Sequence, residues 1–120
     1  MGMGRTLILE VLKPEDIRGA VDEIHDWWFD LDSIGPHSGP LVEIELRPNS
    51  RDFESHHPTP CKKLEIDEVV GLDLQDTERI GYYDVNTIKY KPGCLEVVTG
   101  IPLSLKLSVR KLQVRLYNCQ

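Results

Sequence analysis

The segment from residue 14 to residue 31 reads PEDIRGAVDEIHDWWFDL, and its pattern of apolar residues decides the fold prediction. Apolar side chains recur at steps of three and four residues, the spacing that places them on one face of a helix. This face consists of Ile17, Val21, Ile24, Trp28 and Leu31. Pro14 suits the first helical turn, because its fixed φ fits a helix and its missing N–H has no helical partner there. The sequence therefore predicts one amphipathic helix over residues 14–31.

Stretches of alternating apolar and polar residues on both sides of this segment predict β-strands. They cover residues 5–12, 41–47, 62–74, 80–91, 95–99 and 103–116. The strands cluster after the single helix instead of alternating with further helices, which indicates the α+β class. We expect one N-terminal amphipathic helix packed on a mostly antiparallel, strongly twisted β-sheet of about six strands.

Two local features predict how the strands connect. Pro92 and Gly93 occupy the central positions of a type II turn, which predicts an antiparallel hairpin between the strands on either side. The last stretch, residues 103–116, would be about 46 Å long as one strand, too long for a small domain. Its apolar phase also reverses at Arg110 and Lys111, which predicts a bulge or a corner there.

Length and composition indicate a single domain that spans residues 1–120. Residues 1–4 hold two methionines and are expected to be disordered or left over from cloning, and residues 48–60 are expected to form a surface loop. The three cysteines are an odd number without a CxxC spacing, which argues against a disulfide framework and favours a reducing cytoplasm. No apolar run approaches the length that spans a membrane, so no membrane contact is expected.

The net charge of −6, from 20 acidic and 14 basic residues, bears on the partners of the domain. An acidic protein repels phosphate backbones, so nucleic-acid binding is not expected. The same charge attracts a basic protein, and an antidote that blocks a basic toxin or nuclease would be one example of such a protein. The alternative is that the charge only keeps the protein soluble.

The end of the predicted helix carries the first candidate site, formed by His25, Asp26 and Asp30. The two aspartates are four residues apart and would share a helix face. A histidine beside carboxylates can bind a divalent metal, or supply a base and its orienting group. The alternative is that both aspartates are solvated and that the neighbouring tryptophans fill the core. Together with Glu68, these three residues are the candidate catalytic residues.

A second candidate site lies in the proline-rich loop, where His56 and His57 precede Cys61. Zinc binds histidine and cysteine side chains, so these three residues are candidate metal ligands. A structural zinc site needs four ligands and usually a paired spacing, and the sequence shows neither. The alternative is that the histidines are ordinary residues of an exposed loop, and no cofactor is expected.

Two further positions carry polar groups in apolar or aromatic surroundings. Glu68 interrupts an alternating apolar row. A buried carboxylate there could act as an acid or base, whereas an inward charge at an edge strand or bulge would block aggregation. Asp84 and Asn86 lie among Tyr82, Tyr83 and Tyr90 and could line a ligand groove. The alternative for this pair is an ordinary sheet surface with packed tyrosines.

The absence of known catalytic motifs directs the functional hypotheses. The sequence contains no glycine-rich phosphate loop, no GxSxG elbow and no HExxH helix. We therefore favour a non-enzymatic interaction protein with an acidic surface. One alternative is a small metal-dependent hydrolase that uses His25, Asp26, Asp30, His56 and His57. Another is a structural subunit that forms a homo-oligomer in which a sheet edge or Trp27 faces a second copy of the chain.

Overall fold

The computed structural model of the chain describes residues 5–31, 34, 40–55, 59–76 and 79–119. The strands, in chain order, are β1 (Arg5–Val11), β2 (Trp28–Asp30), β3 (Val42–Leu46), β4 (Cys61–Ile66), β5 (Val69–Gln75), β6 (Tyr82–Lys91), β7 (Cys94–Thr99), β8 (Ser104–Val109) and β9 (Val114–Cys119). The helix α1 (Ile17–Ile24) continues a 3₁₀ turn at Pro14–Asp16, and another 3₁₀ helix spans Ser50–Glu54. Across these ranges, no helix is long and apolar enough to cross a membrane.

The described strands form two antiparallel sheets instead of one. The four-stranded sheet has the order β1-β9-β4-β3, and the five-stranded sheet has the order β2-β6-β7-β8-β5. Inward side chains from both sheets and from α1 form one hydrophobic core. The structure confirms the antiparallel pairing and the mixture of helix and strands, with β-structure in the majority. The expectation of a single sheet is wrong, and β1 precedes the helix.

Two chain segments pass from one sheet into the other at a shared corner. The first joins β4 to β5 through Asp67 and Glu68, and Glu68 has a left-handed φ of 58°. The second joins β8 to β9 through residues 110–113. The Arg110 N–H donates to the Glu68 carbonyl at 3.0 Å, which holds the two bends together. The corner predicted at Arg110 and Lys111 is confirmed, and the neighbouring bend explains why the apolar row breaks at Glu68.

The helix predicted over residues 14–31 ends at Ile24, so about two turns at the end of the predicted helix do not form. His25 leaves the helix with a ψ of 131°, and Asp26 adopts a left-handed φ of 69°. Asp26 then donates its N–H to the Val85 carbonyl at 2.9 Å, and the chain continues as β2 beside β6. Aromatic residues suit a strand, and pairing with β6 satisfies the backbone groups that a longer helix would bond internally.

Because residues 28–30 form a strand instead of a helix, a different aromatic residue from the predicted one enters the core. Successive side chains of a strand point to opposite faces. Phe29 is therefore fully buried, whereas Trp28 lies half-buried on the outer face. The predicted apolar helix face is correct for Ile24, which is buried, and for Ile17 and Val21, which pack against the core. It is wrong for Trp28.

The hairpin predicted at Pro92 and Gly93 joins β6 and β7 and is confirmed. Gly93 has the positive φ, 89°, that the third position of a type II turn requires. Simple alternation along residues 80–91 predicts that Ile88 lies on the face opposite Val85, and this prediction is wrong. A register shift after Val85 moves Ile88 to the inner face, where it is buried.

The loop expected over residues 48–60 is partly helical. The 3₁₀ helix Ser50–Glu54 begins with a capping box, in which the Asn49 N–H donates to Asp52 Oδ2 at 3.1 Å. This helix contacts β2 and places Phe53 beside the five-stranded sheet. Residues 1–4 and 56–58, which belong to two of the expectations above, lie outside the described residues.

Candidate interaction site

Four side chains on β2 and β6 form a patch on the outer face of the five-stranded sheet. Trp28 lies opposite Asp84, and Asp30 lies opposite Tyr82, in the antiparallel register. The residues that alternate with them on both strands are fully buried, so these four side chains point away from the core. All four are half-buried. Aromatic rings and carboxylates therefore lie side by side on one surface.

The 3₁₀ helix Ser50–Glu54 adds a third aromatic ring to this patch. The Phe53 ring stacks on the Tyr82 ring, with centroids 5.6 Å apart and an interplanar angle of 20°. Aromatic side chains offer large contact areas with few rotatable bonds, so a stacked pair loses little entropy on binding. We name the following residues the aromatic–acidic face: Trp28, Asp30, Phe53, Tyr82 and Asp84.

Backbone hydrogen bonds hold β2 on both sides. In addition to the pairing with β6, the Trp28 N–H donates to the Arg47 carbonyl at 2.7 Å and the Trp28 carbonyl accepts from the Arg47 N–H at 2.9 Å. The Arg47 guanidinium pairs with Glu45 at 2.7 Å and donates to the Thr59 carbonyl at 3.0 Å. Trp28 is therefore presented by a backbone bridge between the two sheets, and the arginine of this bridge already has a carboxylate partner.

The carboxylate of Asp84 is positioned by the turn that follows β7. The Ile101 N–H donates to Asp84 Oδ1 at 3.1 Å, and the Gly100 N–H donates to the Asp84 carbonyl at 3.2 Å. A Cβ atom at position 100 would collide with this carboxylate in its present position, so Gly100 leaves the space that the carboxylate occupies. One negative charge of the face is therefore held in place by the backbone.

Tyr83 supports the face from inside the core. Its hydroxyl donates to the Asp76 carboxylate and accepts from the Ile80 N–H at 3.2 Å. Its ring lies 6.1 Å from the ring of Phe29. Burial raises the pKa of Tyr83, and the hydrogen bond to Asp76 raises it further. The hydroxyl therefore stays protonated and ties the loop before β6 to the core.

The three candidate residues at the predicted helix end do not share a helix face. His25 and Asp26 lie in the turn after α1, where His25 Nδ1 is 3.2 Å from Asp26 Oδ2 and both side chains are exposed. Asp30 lies on β2 and belongs to the aromatic–acidic face. The prediction that Asp26 and Asp30 share a helix face is wrong, because α1 ends before either residue. Catalytic roles for these residues remain a prediction.

The other predicted site residues are spread over the fold. Glu68 lies at the corner between the sheets and donates its N–H to Asp67 Oδ1 at 2.8 Å, one residue before the edge strand β5. Cys61 begins β4, and His56 and His57 lie outside the described residues. Within the described ranges, no three His, Cys, Asp or Glu side chains lie close enough to hold a metal ion. The metal site that includes His56 and His57 stays a prediction.

A groove of about 740 Å³ lies at the opposite end of β6, beside the corner. It is lined by the apolar groups of Leu12 and Tyr90 and by the charged side chains of Glu10, Arg110 and Lys111. The groove therefore carries a positive balance, whereas the aromatic–acidic face carries a negative one. The two ends of the sheet therefore differ in the sign of their local charge.

The sequence pattern identifies only part of the aromatic–acidic face. The alternation of polar and aromatic residues places Asp84 and Tyr82 on one sheet surface, and the structure does so too. Phe53 cannot be found in this way, because its contact with Tyr82 joins segments that are distant in sequence. The helical period assigns Trp28 to the core, so its outward position emerges only from the pairing of β2 with β6.

Comparison with known proteins does not identify a function for this site. The chain matches no protein-family model, no curated protein and no solved structure. Its function is therefore inferred from its own residues.

Proposed function

We propose that this protein is a non-enzymatic binding protein whose aromatic–acidic face engages a basic protein. The observation that carries the proposal is the grouping of three aromatic rings and two carboxylates on one outer surface. Aromatic residues are enriched at the energetic centres of protein interfaces, where they fill pockets of the partner. The carboxylates of Asp30 and Asp84 complement lysine and arginine side chains across such an interface.

The charge of the whole protein supports the same class of partner. A net charge of −6 accelerates encounter with a basic protein, and the carboxylates of the face then favour one orientation. Asp52 and Glu54 flank Phe53 in the 3₁₀ helix and add to the negative potential there. Arg47, which bonds to the Trp28 backbone, offsets little of this potential because its guanidinium is paired with Glu45.

The proposal is tested with one partner and two variants of the face. The immobilised protein captures basic proteins from a lysate of its source at low salt, and the purified partner is then titrated by calorimetry. Trp28→Ala is expected to weaken binding about 30-fold, because an aromatic residue at the centre of an interface contributes about 2 kcal/mol or more. The double variant Asp30→Asn, Asp84→Asn is expected to weaken binding about tenfold and to reduce its salt dependence.

The matched control removes two charges from the same sheet at a distance from the face. The double variant Asp73→Asn, Glu96→Gln changes β5 and β7 and is expected to bind within about twofold of the wild type. Thermal melts establish that every variant is folded. The proposal fails if Trp28→Ala binds as tightly as the wild type, if both charge variants lose equal affinity, or if no basic protein binds.

A second candidate function, self-association, is favoured by the outer edge of β5. Among the described strands, β5 is the last of the five-stranded sheet, and Val70, Leu72 and Leu74 on it are 57%, 41% and 36% exposed. Unpaired edge strands with apolar side chains pair readily with other strands. An antiparallel pair of β5 strands centred on Leu72 places Val70 opposite Leu74 and Gly71 opposite Asp73, so no two aspartates face each other. We propose a symmetric dimer through this edge.

The dimer is tested by sedimentation over a range of protein concentrations. Leu72→Lys brings like charges together at the centre of the strand pair and is expected to yield a folded monomer. Leu12→Lys, at another exposed leucine on the surface, is the control and should leave the dimer intact. A wild type that sediments as a monomer throughout, or a Leu72→Lys variant that remains dimeric, excludes this edge as the interface.

A further inference from the structure

Two cysteines lie directly opposite each other in the four-stranded sheet. Cys61 on β4 pairs with Cys119 on β9 in the antiparallel register. Both are free thiols, and their Sγ atoms are 2.7 Å apart. Opposite residues of an antiparallel pair have Cα atoms within the range that a disulfide spans, so bond formation needs only a small adjustment of the two strands and side chains.

The two thiols differ in their access to solvent. Cys61 is buried, with 9% of its surface exposed, whereas Cys119 is half-buried near the end of the last strand. Burial raises the pKa of Cys61 to about 12, and the hydrogen bond with Cys119 contributes to this shift. Cys119 is therefore the thiol that a reagent in solution reaches first. The third cysteine, Cys94, lies opposite Ser108 and has no cysteine facing it.

We propose that Cys61 and Cys119 are a redox modification site, at which a reversible cross-strand disulfide forms by exchange with a low-molecular-weight disulfide. The Cys119 thiolate attacks one sulfur of the small disulfide, whose S–S bond breaks and releases one small thiolate. Cys61 then attacks Cys119 Sγ in the mixed disulfide, and its proton passes to a departing small thiolate. The two protein thiols are oxidised, and one small disulfide is reduced to two small thiols.

The position of this pair gives the bond a large structural effect. The link joins β4 to β9, and the chain between them contains β5, β6, β7 and β8. The bond therefore closes a loop that includes most of the five-stranded sheet and both bends of the corner. Closing a long loop restricts the unfolded chain strongly, so the oxidised protein is expected to melt about 10 °C or more above the reduced protein. A reducing compartment would keep the pair open and an oxidising one would close it.

The test treats the reduced protein with oxidised glutathione as the small disulfide. The wild type is expected to lose about 2 Da in intact mass, to keep one free thiol and to yield a cross-linked peptide containing both cysteines. Cys94→Ser is expected to form the same bond with the same increase in melting temperature. Cys119→Ser is expected to leave Cys61 unmodified and the melting temperature unchanged.

Three results would overturn the inference. One is a stable glutathione adduct on Cys119 without closure to Cys61. Another is a cross-link that involves Cys94. The last is the absence of any bond after treatment, in which case the wild type retains all three free thiols and Cys94→Ser retains both of its own. Wild type and Cys94→Ser both keep the pair intact, so their comparison does not depend on whether a variant of Cys61 or Cys119 folds.

Discussion

Replacing Phe29 with alanine is expected to lower the free energy of unfolding by about 3–5 kcal/mol, a large fraction of the stability of a small domain. Phe29 is completely buried on β2, and its ring lies 6.1 Å from the ring of Tyr83. The substitution leaves a cavity beneath the aromatic–acidic face, because strands held by hydrogen bonds on both sides cannot close around it. Urea denaturation of the purified variant measures the loss.

The same measurement on Trp28→Ala distinguishes a strand from a helix at this position. On β2, Trp28 lies half-buried on the outer face, so its truncation should cost about 1–2 kcal/mol. If the helix continued with its predicted apolar face, Trp28 would lie in the core and Phe29 would not. The order of the two losses would then be reversed. A loss for Trp28→Ala that equals or exceeds the loss for Phe29→Ala is incompatible with the structure.

Replacing Glu65 with glutamine is expected to destabilise the protein by about 2–3 kcal/mol at neutral pH. Glu65 on β4 is only 6% exposed, yet it contacts two arginines. Arg115 donates its Nε–H to Glu65 Oε1 at 3.1 Å, and Arg5 donates to Oε2. Glutamine keeps the shape of the side chain but removes its charge, so the half-buried Arg115 and the more exposed Arg5 both lose a charged partner.

The contribution of Glu65 should disappear in acid. Burial alone would raise the pKa of Glu65, but the hydrogen bonds with Arg115 and Glu43 and the charges of Arg5 and Arg115 outweigh it and hold the pKa below its usual value of 4.5. A carboxylate whose pKa is lowered by folding stabilises the protein above its unfolded pKa, and this effect is lost as the pH falls through the folded pKa. The difference in stability between wild type and Glu65→Gln should therefore be full at neutral pH and shrink below about pH 4.5.

Glu43→Gln on the neighbouring strand β3 is the matched control. The Glu43 carboxylate lies 3.4 Å from Arg5, and its side chain is 24% exposed, more than that of Glu65. Exposed ion pairs contribute about 0–1 kcal/mol, so this variant should lose little stability at any pH. Equal losses in the two variants, or a Glu65→Gln difference that persists undiminished at about pH 3, would show that the buried arginine contacts are not the cause.

Features that depend on neighbouring residues could be predicted from the sequence. Pro92 and Gly93 define their turn by the backbone angles that each residue prefers. The reversal of apolar phase at Arg110 locates the corner, because one straight strand would be too long for the domain. The buried row of β3, from Val42 to Leu46, follows from simple alternation.

The end of α1 could not be predicted in the same way. The apolar spacing from Ile17 to Leu31 fits a helix throughout, and no proline interrupts it. The chain leaves the helix after Ile24 because residues 28–30 pair with β6, a strand that lies far away in sequence. That pairing separates His25 and Asp26 from Asp30, so the acidic pair expected on one helix face does not form. It also carries Trp28 to the surface where the proposed partner binds.

Local residue preferences define the first turns of the helix, the Pro92–Gly93 hairpin, the bend near Arg110 and the burial of alternating apolar residues in β3, β8 and β9. Long-range packing sets which strands share a sheet and which side chains meet on its surface. The stacking of Phe53 on Tyr82, the approach of Cys61 to Cys119 and the outward position of Trp28 all depend on pairings between distant segments. A shift of one residue in such a pairing turns every side chain of a strand to the other face, so local pattern alone cannot define these contacts.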